Sequence, residues 1–336
     1  LSIKNSGKKE GRPLMYNGLM ELHTCLWNEV DAFDFEDDDF LPLIARFPEL
    51  QIRSHRCVED FLAVAGQADL LLTWDFEQDW YQACPRLKTI YTPAAGSDWV
   101  HIDPNERVRV IQGKFHGLIL AESVLGALLY MNRRMPEMIR NHRDRSWDRN
   151  LQKDTRILGK QNVLIIGLGH IGSACAKLIQ STGAKVIGLR RQPANTDIGG
   201  VEVRSIDELG NVLPWADHVI LLLPGSTGTD DFMGPNLLRQ MKKGSYVYNF
   251  GRGNALTTVD LLQSLDHLGG AFLDVTDEEP LPPESPLWHH DKVMITPHSS
   301  CVCREYKSLF LDEVMSHLRK FHLLEPAKPA IGDQTT

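Results

Sequence analysis

A chain of 336 residues is longer than one hydrophobic core usually serves, and its 42% hydrophobic content is enough for two. With 24% charged residues, scattered Gly and Pro and no biased tract, disorder is excluded as an account of the chain. The formal charge of −8 and the absence of a basic stripe exclude a general attraction to phosphate backbones or anionic membranes, so neither nucleic acid nor membrane is expected as a partner.

Leu1 predicts a trimmed or extended start, and roughly the first fifteen residues, rich in Lys, Gly and Ser, are set outside the fold. No early segment has the basic-then-apolar layout of a signal peptide, and no apolar stretch reaches the ~18 residues that span a bilayer. The cysteines (Cys25, Cys57, Cys84, Cys175, Cys301, Cys303) lack a repeated C-x-x-C, which fits reduced thiols in a cytoplasmic protein and no metal site. Cys301 and Cys303 stand apart only because they follow His298, which matters below.

From Leu19 onward, LMELHTCLW (19–27), LQIRS (50–54), DLLLTW (69–74), LKTIYTP (87–93) and VRVIQG (108–113) read as strands alternating with helical periods, the pattern of a small α/β unit. The acidic run Glu36–Asp39 precedes one of the helices, where carboxylates favour the positive helix end, and reads as a solvated cap. Leu118 to about Arg140, with Leu118, Ala121, Val124, Leu125, Leu128 and Leu129 at helical spacing, predicts one long helix. This apolar segment and the MPEMIRNHRDRSW that follows offer more surface than one domain covers, so a homodimer is expected through them.

The alternation restarts with more apolar strands: VLIIG (163–167), AKVIG (184–188), DHVILLLP (217–224), GSYVYNF (244–250), GGAFLDV (269–275) and VMITP (293–297). Strands this apolar are buried on both faces, as in a parallel doubly wound sheet. The tail from about Cys303, with Leu309, Leu311, Val314, Leu318 and Phe321, reads as a final helix. The expected fold is α/β, with two Rossmann-like or flavodoxin-like doubly wound parallel-sheet domains and a cleft between them. The expected division is 16–117 with 299–336 for one domain, and 118–298 for the other.

After the strand at Val163 comes Gly167-Leu168-Gly169-His170-Ile171-Gly172 and a helical stretch. Glycines at this spacing permit a tight turn, close approach of backbone to a pyrophosphate and close helix packing, with the phosphate on the helix N-terminus. His170 is a variable position of that fingerprint. An NAD site usually carries an acidic residue at the end of the second strand, but here the strand ends in Arg190-Arg191. Two guanidinium groups suit the 2′-phosphate of NADP; the alternative is an exposed basic turn.

Three further segments end strands of the same half: Asn249–Gly253, Leu273-Asp274-Val275 leading to Glu279, and Thr296-Pro297-His298. Residues at the carboxyl ends of parallel strands face the ligand crevice. Arg252 would bind a substrate carboxylate and polarise a keto oxygen, His298 would donate a proton to that oxygen, and Glu279 would orient the imidazole and favour its charged form.

GLGHIG (167–172), LLLPGSTGT (221–229), NFGRG (249–253), LDVTDEEPLPPESPLW (273–288) and ITPH (295–298) resemble the D-isomer-specific 2-hydroxyacid dehydrogenases, and within them the NADP-preferring glyoxylate/hydroxypyruvate reductases. The resemblance runs through nearly the whole chain after Leu19. It implies reduction of a small 2-keto acid to the D-2-hydroxy acid, with Arg252, Glu279 and His298 catalytic, NADP preferred and NAD possible. It also implies that Leu223, Pro224, Thr229, Phe250, Gly251 and Asp274 join the fingerprint residues and Arg190 and Arg191 at the cofactor. Ala95, Gly96 and Ser97 would hold the substrate carboxylate through backbone N–H groups. Gly251 in place of the family's Ala or Ser, Thr276 in place of an aromatic, and Ser299-Ser300-Cys301 after the histidine are departures that bear on pocket shape. Two rivals share the fold: a nicotinamide-sensing, corepressor-like binding protein, and a formate- or phosphite-type dehydrogenase, against which the Glu279–Pro282 loop argues.

Overall fold

The computed structural model describes residues 20–96, 99–150, 153, 155–192 and 198–320. The chain divides into two compact units, Leu1–Gly113 with Arg304–Thr336, and Lys114–Cys303.

In the first unit β1 (Met20–Cys25), β2 (Leu50–Ser54), β3 (Leu70–Thr73), β4 (Thr89–Thr92) and β5 (Arg109–Gln112) form a parallel sheet in the order β2-β1-β3-β4-β5. The inner strands β3 and β4 are buried along their whole length, while Arg53, Ser54 and Arg109 on the edge strands β2 and β5 meet solvent. Helices α1 (Leu41–Arg46) and α2 (Val58–Leu62) follow β1 and β2. The acidic run forms a 3-10 turn, Asp37–Phe40, in which Glu36 and Asp39 make a reciprocal capping box. The last helix, Tyr306–Lys320, belongs to this unit: it buries Tyr306, Phe310, Leu311, Val314 and Leu318, and its Tyr306 hydroxyl donates to the Pro93 carbonyl at 3.3 Å. Its Lys307 pairs with Asp39 at 2.9 Å; Phe321 lies outside the described residues.

The second unit carries α3 (His116–Asn132), α4 (Met135–Arg143), β6 (Asn162–Ile166), α5 (His170–Ser181), β7 (Lys185–Arg190), β8 (Glu202–Ser205), β9 (His218–Leu221), β10 (Tyr246–Asn249), β11 (Gly270–Leu273) and β12 (Val293–Ile295). All neighbours are parallel, in the order β12-β11-β10-β9-β6-β7-β8. The order reverses at β6, and in an open α/β sheet the crevice at that reversal is where ligands bind. Helix α5 buries Gly172, Cys175, Ala176 and Ile179, one stripe at helical spacing, and shares a core with Leu120, Val124, Leu128 and Met131 of α3.

Two expectations need correction. The single helix over 118–140 is two helices, broken where Arg134 turns left-handed (φ 56°). Pro136 is the cause: inside a continuous helix its ring would meet the carbonyl of Asn132, whereas in the first turn of α4 its missing N–H costs nothing. Strand β8 was not anticipated, because its four residues lie at the sheet edge, half-buried at most, and show no apolar run. Among the described residues no helix is long and apolar enough to cross a membrane, and no cluster of three or more His, Cys, Asp or Glu could hold a metal ion.

Candidate active site

The fingerprint turn leaves β6 at Gly167, whose φ of +105° only glycine adopts without strain, and its N–H and that of Leu168 both donate to the Leu189 carbonyl, at 3.1 and 2.9 Å. A Cβ on Gly172 would strike the Gly167 carbonyl, so this third glycine lets α5 close on the turn. Gly169 caps α5 and has open space where a side chain would stand. A positive helix end with uncovered backbone fits the pyrophosphate of a dinucleotide. Ile171 is half-buried against the core, and His170 is tied through Nε2 to the Lys114 carbonyl at 2.7 Å, which fixes the start of α5 on the segment before α3. Arg190 ends β7 directly after the Leu189 carbonyl that holds the glycine turn, and exposed Arg191 follows it.

On the other side of β6, the segment after β9 begins with the Leu222 N–H on the Ile166 carbonyl at 2.8 Å. Leu223 is half-buried, and the Thr229 hydroxyl donates to the Pro224 carbonyl at 2.7 Å, closing the loop on itself. The Phe250 ring stacks on Phe272 at 5.5 Å inside the core, so only its backbone is left at the strand end. Gly251 sits where a Cβ would collide with the Leu223 backbone, so a side chain here would require the two loops to move apart.

The catalytic candidates stand on the ends of β10, β11 and β12. Buried Asn249 donates from its amide to the Arg252 carbonyl at 3.0 Å and accepts from the Gly251 N–H at 3.2 Å, fixing the bend that presents Arg252. Glu279 divides its two oxygens: Oε1 accepts from the Thr276 N–H at 3.1 Å, and Oε2 lies 2.9 Å from Nδ1 of His298. Both side chains of that pair remain accessible, at 48% for His298 and 39% for Glu279.

His298 has a φ of 49°, a left-handed conformation uncommon for histidine, and the surrounding bonds show what holds it there. Asp274, 2% exposed, accepts from the Thr296 hydroxyl at 2.6 Å, from Ser299 N–H at 3.0 Å and from Ser300 N–H at 3.2 Å, while its backbone carbonyl accepts from His298 N–H at 2.8 Å. Asp274 therefore grips both sides of the residue that carries the imidazole. Asn249 and Thr296 have no role in a reading of local motifs, because their partners lie on loops of other strands or across the same bend. Cys301 packs against the core, and burial pushes its thiol up to about 12, which disfavours the thiolate.

In the first unit Ala95 and Gly96 follow β4, with the Gly96 carbonyl accepting from the Gln112 amide at 3.2 Å and the Ala94 N–H on the Thr92 hydroxyl. Ser97 lies outside the described residues.

Residues 125–300 match the model of the D-isomer specific 2-hydroxyacid dehydrogenase NAD binding domain. The chain is 32% identical over 240 residues to the glyoxylate reductase of Thermofilum pendens, covering 68% of this chain and 70% of that one. It is 30% identical over 266 residues to glyoxylate/hydroxypyruvate reductase A of Salmonella choleraesuis, covering 75% and 83%. In fold it resembles the crystal structure of the NADPH-dependent glyoxylate/hydroxypyruvate reductase of Sinorhizobium meliloti in complex with NADP and sulfate, with a TM-score of 0.71 at 24% identity over 91% of this chain and 96% of that one.

Proposed function

The chain belongs to the D-isomer specific 2-hydroxyacid dehydrogenases, oxidoreductases that use NAD(P), and from that premise we propose that it reduces glyoxylate, hydroxypyruvate or a 2-keto acid of similar size to the D-2-hydroxy acid, with NADPH preferred. The observation that carries the reading is the His298–Glu279 pair at the end of the sheet that bears the glycine turn.

A carboxylate can only accept, so Nδ1 of His298 carries a hydrogen in either protonation state and Nε2 is the nitrogen that gains and loses the mobile proton. Reduction of a keto group requires a proton on oxygen, and His298 supplies it from Nε2. Arg252 contributes a fixed planar cation for the substrate carboxylate and for the negative charge that builds on the keto oxygen. Gly167–Gly172 would hold the pyrophosphate of NADPH, with Arg190 and Arg191 toward the 2′-phosphate of its adenosine ribose, and the bound cofactor would supply the hydride for C2. The Ala95–Ser97 backbone is assigned to the substrate carboxylate, and the unit 118–298 to the dinucleotide.

Steady-state kcat/KM for glyoxylate, hydroxypyruvate, pyruvate and phenylpyruvate with both cofactors tests the proposal. The two smallest hydroxylated or unsubstituted acids should lead, and NADPH should exceed NADH by about tenfold to a hundredfold, the worth of one charge-assisted contact of ~1.5–3 kcal/mol. R190A and R191A should erode that ratio. Equal use of the two cofactors returns Arg190 and Arg191 to an exposed turn, and no turnover with any acid refutes the enzymatic reading. The exposed Leu118 (63%) and Leu129 (41%) of α3 support a homodimer, which light scattering at micromolar concentration checks.

A further inference from the structure

The opposite edge of the seven-stranded sheet is also polar. In a parallel sheet the amino ends of all strands share one edge, and the residues just before β6, β9, β10, β11 and β12 (Gln161, Asp217, Ser245, Gly269, Lys292) border a cavity of about 380 Å³. Among the described residues Arg134, Arg156, Lys242, Lys243 and Lys292 line it with two carboxylates, Glu137 and Asp217, in a chain whose net charge is −8. The two carboxylates are already engaged: Glu137 with Arg134 at 3.0 Å, Asp217 with Lys242 at 2.6 Å and with Arg156 at 3.7 Å. Lys292 is fixed by the Leu265 and Leu268 carbonyls at 2.5 and 3.0 Å, which hold its charge in place without neutralising it.

A second observation points to a ligand. Ser245 and Gln161 are only 3% and 5% exposed, yet Ser245 Oγ and Gln161 Oε1 have no hydrogen-bond partner among the described residues. Buried polar atoms in this state destabilise a fold unless something in the adjoining space completes them. Both residues line the cavity.

We propose that this cavity is a second binding site, for a small hydroxylated anion with two or more negative charges, remote from the keto-acid chemistry at the carboxyl edge. The basic side chains hold its anionic oxygens by charge-assisted hydrogen bonds, and rotation of the buried Ser245 and Gln161 side chains toward the cavity brings their unpartnered oxygens to its hydroxyl group. The volume lies near the small end of ligand pockets, which suits a molecule of citrate size. A narrow recess of one sign of charge also raises the local concentration of such an anion. Asp217 sets the rigid floor: burial works to raise its carboxyl, but the Lys242 hydrogen bond and the Asn162 N–H outweigh it and hold the group below the usual carboxylate range.

Titration calorimetry on the full chain with citrate and with 3-phosphoglycerate tests the site, and R252A serves as a second host in which the keto-acid end is disabled. The parent and R252A should both bind at least one probe. K243E should weaken that binding by about tenfold, S245A should weaken it measurably, and S245A without probe should melt no lower than the parent because its hydroxyl has no internal partner. Turnover of keto acid in K243E and S245A should stay at the parental value without probe. No binding by the parent, unchanged affinity in both variants, or loss of binding in R252A would each overturn the site. None of these outcomes depends on whether the carboxyl edge reduces glyoxylate.

Discussion

Two histidines of one sheet have opposite fates. His298, at the carboxyl end of β12, keeps half of its side chain in solvent, has a carboxylate on Nδ1 and sits on left-handed backbone. His218, the first residue of β9, is fully buried: its Nδ1 meets the Tyr248 hydroxyl at 2.9 Å, its ring stacks on Tyr246, and burial pushes it down to about 4. The difference teaches what turns an imidazole into a proton carrier. Access and a carboxylate partner suit His298 to the proton-donor role proposed for it, whereas desolvation fixes His218 in its neutral form and leaves it a packing role.

The sharpest break between them comes from substituting each. His298→Asn keeps a side chain that tolerates positive φ but cannot donate the proton, so kcat should fall by about 10²–10⁴-fold while cofactor binding and melting temperature stay near parental. His218→Asn should leave kcat alone and cost about 1–3 kcal/mol, because it strands the buried Tyr248 hydroxyl. Kinetics with urea melts on both proteins checks this; a His298 variant with near-parental turnover, or a His218 variant crippled in kcat at full stability, would collapse the comparison.

The placing of His298 after a strand could be read from sequence because it lies in a run of strand-end motifs, and the strand-turn-helix at Gly167–Gly172 could be read because strand, glycines and helix follow at fixed spacing. His218 was invisible inside the apolar run of residues 217–224. Asn249, Thr296 and the grip of Asp274 on the His298 bend were out of reach for a different reason: they are hydrogen bonds across bends and between neighbouring strand ends, and no local periodicity encodes them. The break at Arg134 was signalled by Pro136, but the apolar stripe running through Met131 concealed it.

Acid should separate the histidines next. His218 titrates near 4 in the fold and near 6.5 when unfolded, so between those values the unfolded chain takes up a proton that the fold does not. Stability is therefore complete above pH 6.5, declines as pH falls toward 4 and loses nothing further from this group below that. The loss is on the order of 3 kcal/mol. His23, held at 2.9 Å from His55 and pushed down to about 4 by burial and then by that neighbour, acts in the same direction. Urea unfolding at pH 7 and pH 4.5 should show a smaller acid loss in His218→Asn than in the parent. An identical loss would mean that His218 is already charged in the fold or is not buried there.

The smallest expected effect concerns what holds His298 in its strained position. Thr296 donates to Asp274 Oδ1 at 2.6 Å, and the same oxygen receives the Ser299 N–H, so one hydroxyl anchors the segment on one side of the histidine while Asp274 restrains the other. Thr296→Val keeps the shape and removes the donor, which leaves a buried carboxylate with one partner fewer at a cost of about 1–3 kcal/mol. Lower stability alone would fit any buried hydroxyl and would say nothing about the imidazole. A positioning role predicts more: with the segment looser, kcat should fall by about two- to fivefold, since misplacement of a proton donor acts on the transition state. KM for the keto acid should change little, and Thr296→Ser should restore kcat because it returns the hydroxyl. If Thr296→Val loses stability with kcat intact, or if Thr296→Ser behaves like Thr296→Val, then the Thr296 hydroxyl on the Asp274 carboxylate holds the strand end without setting the position of His298, and the left-handed backbone is maintained by the Glu279 pair and by the His298 N–H on the Asp274 carbonyl instead.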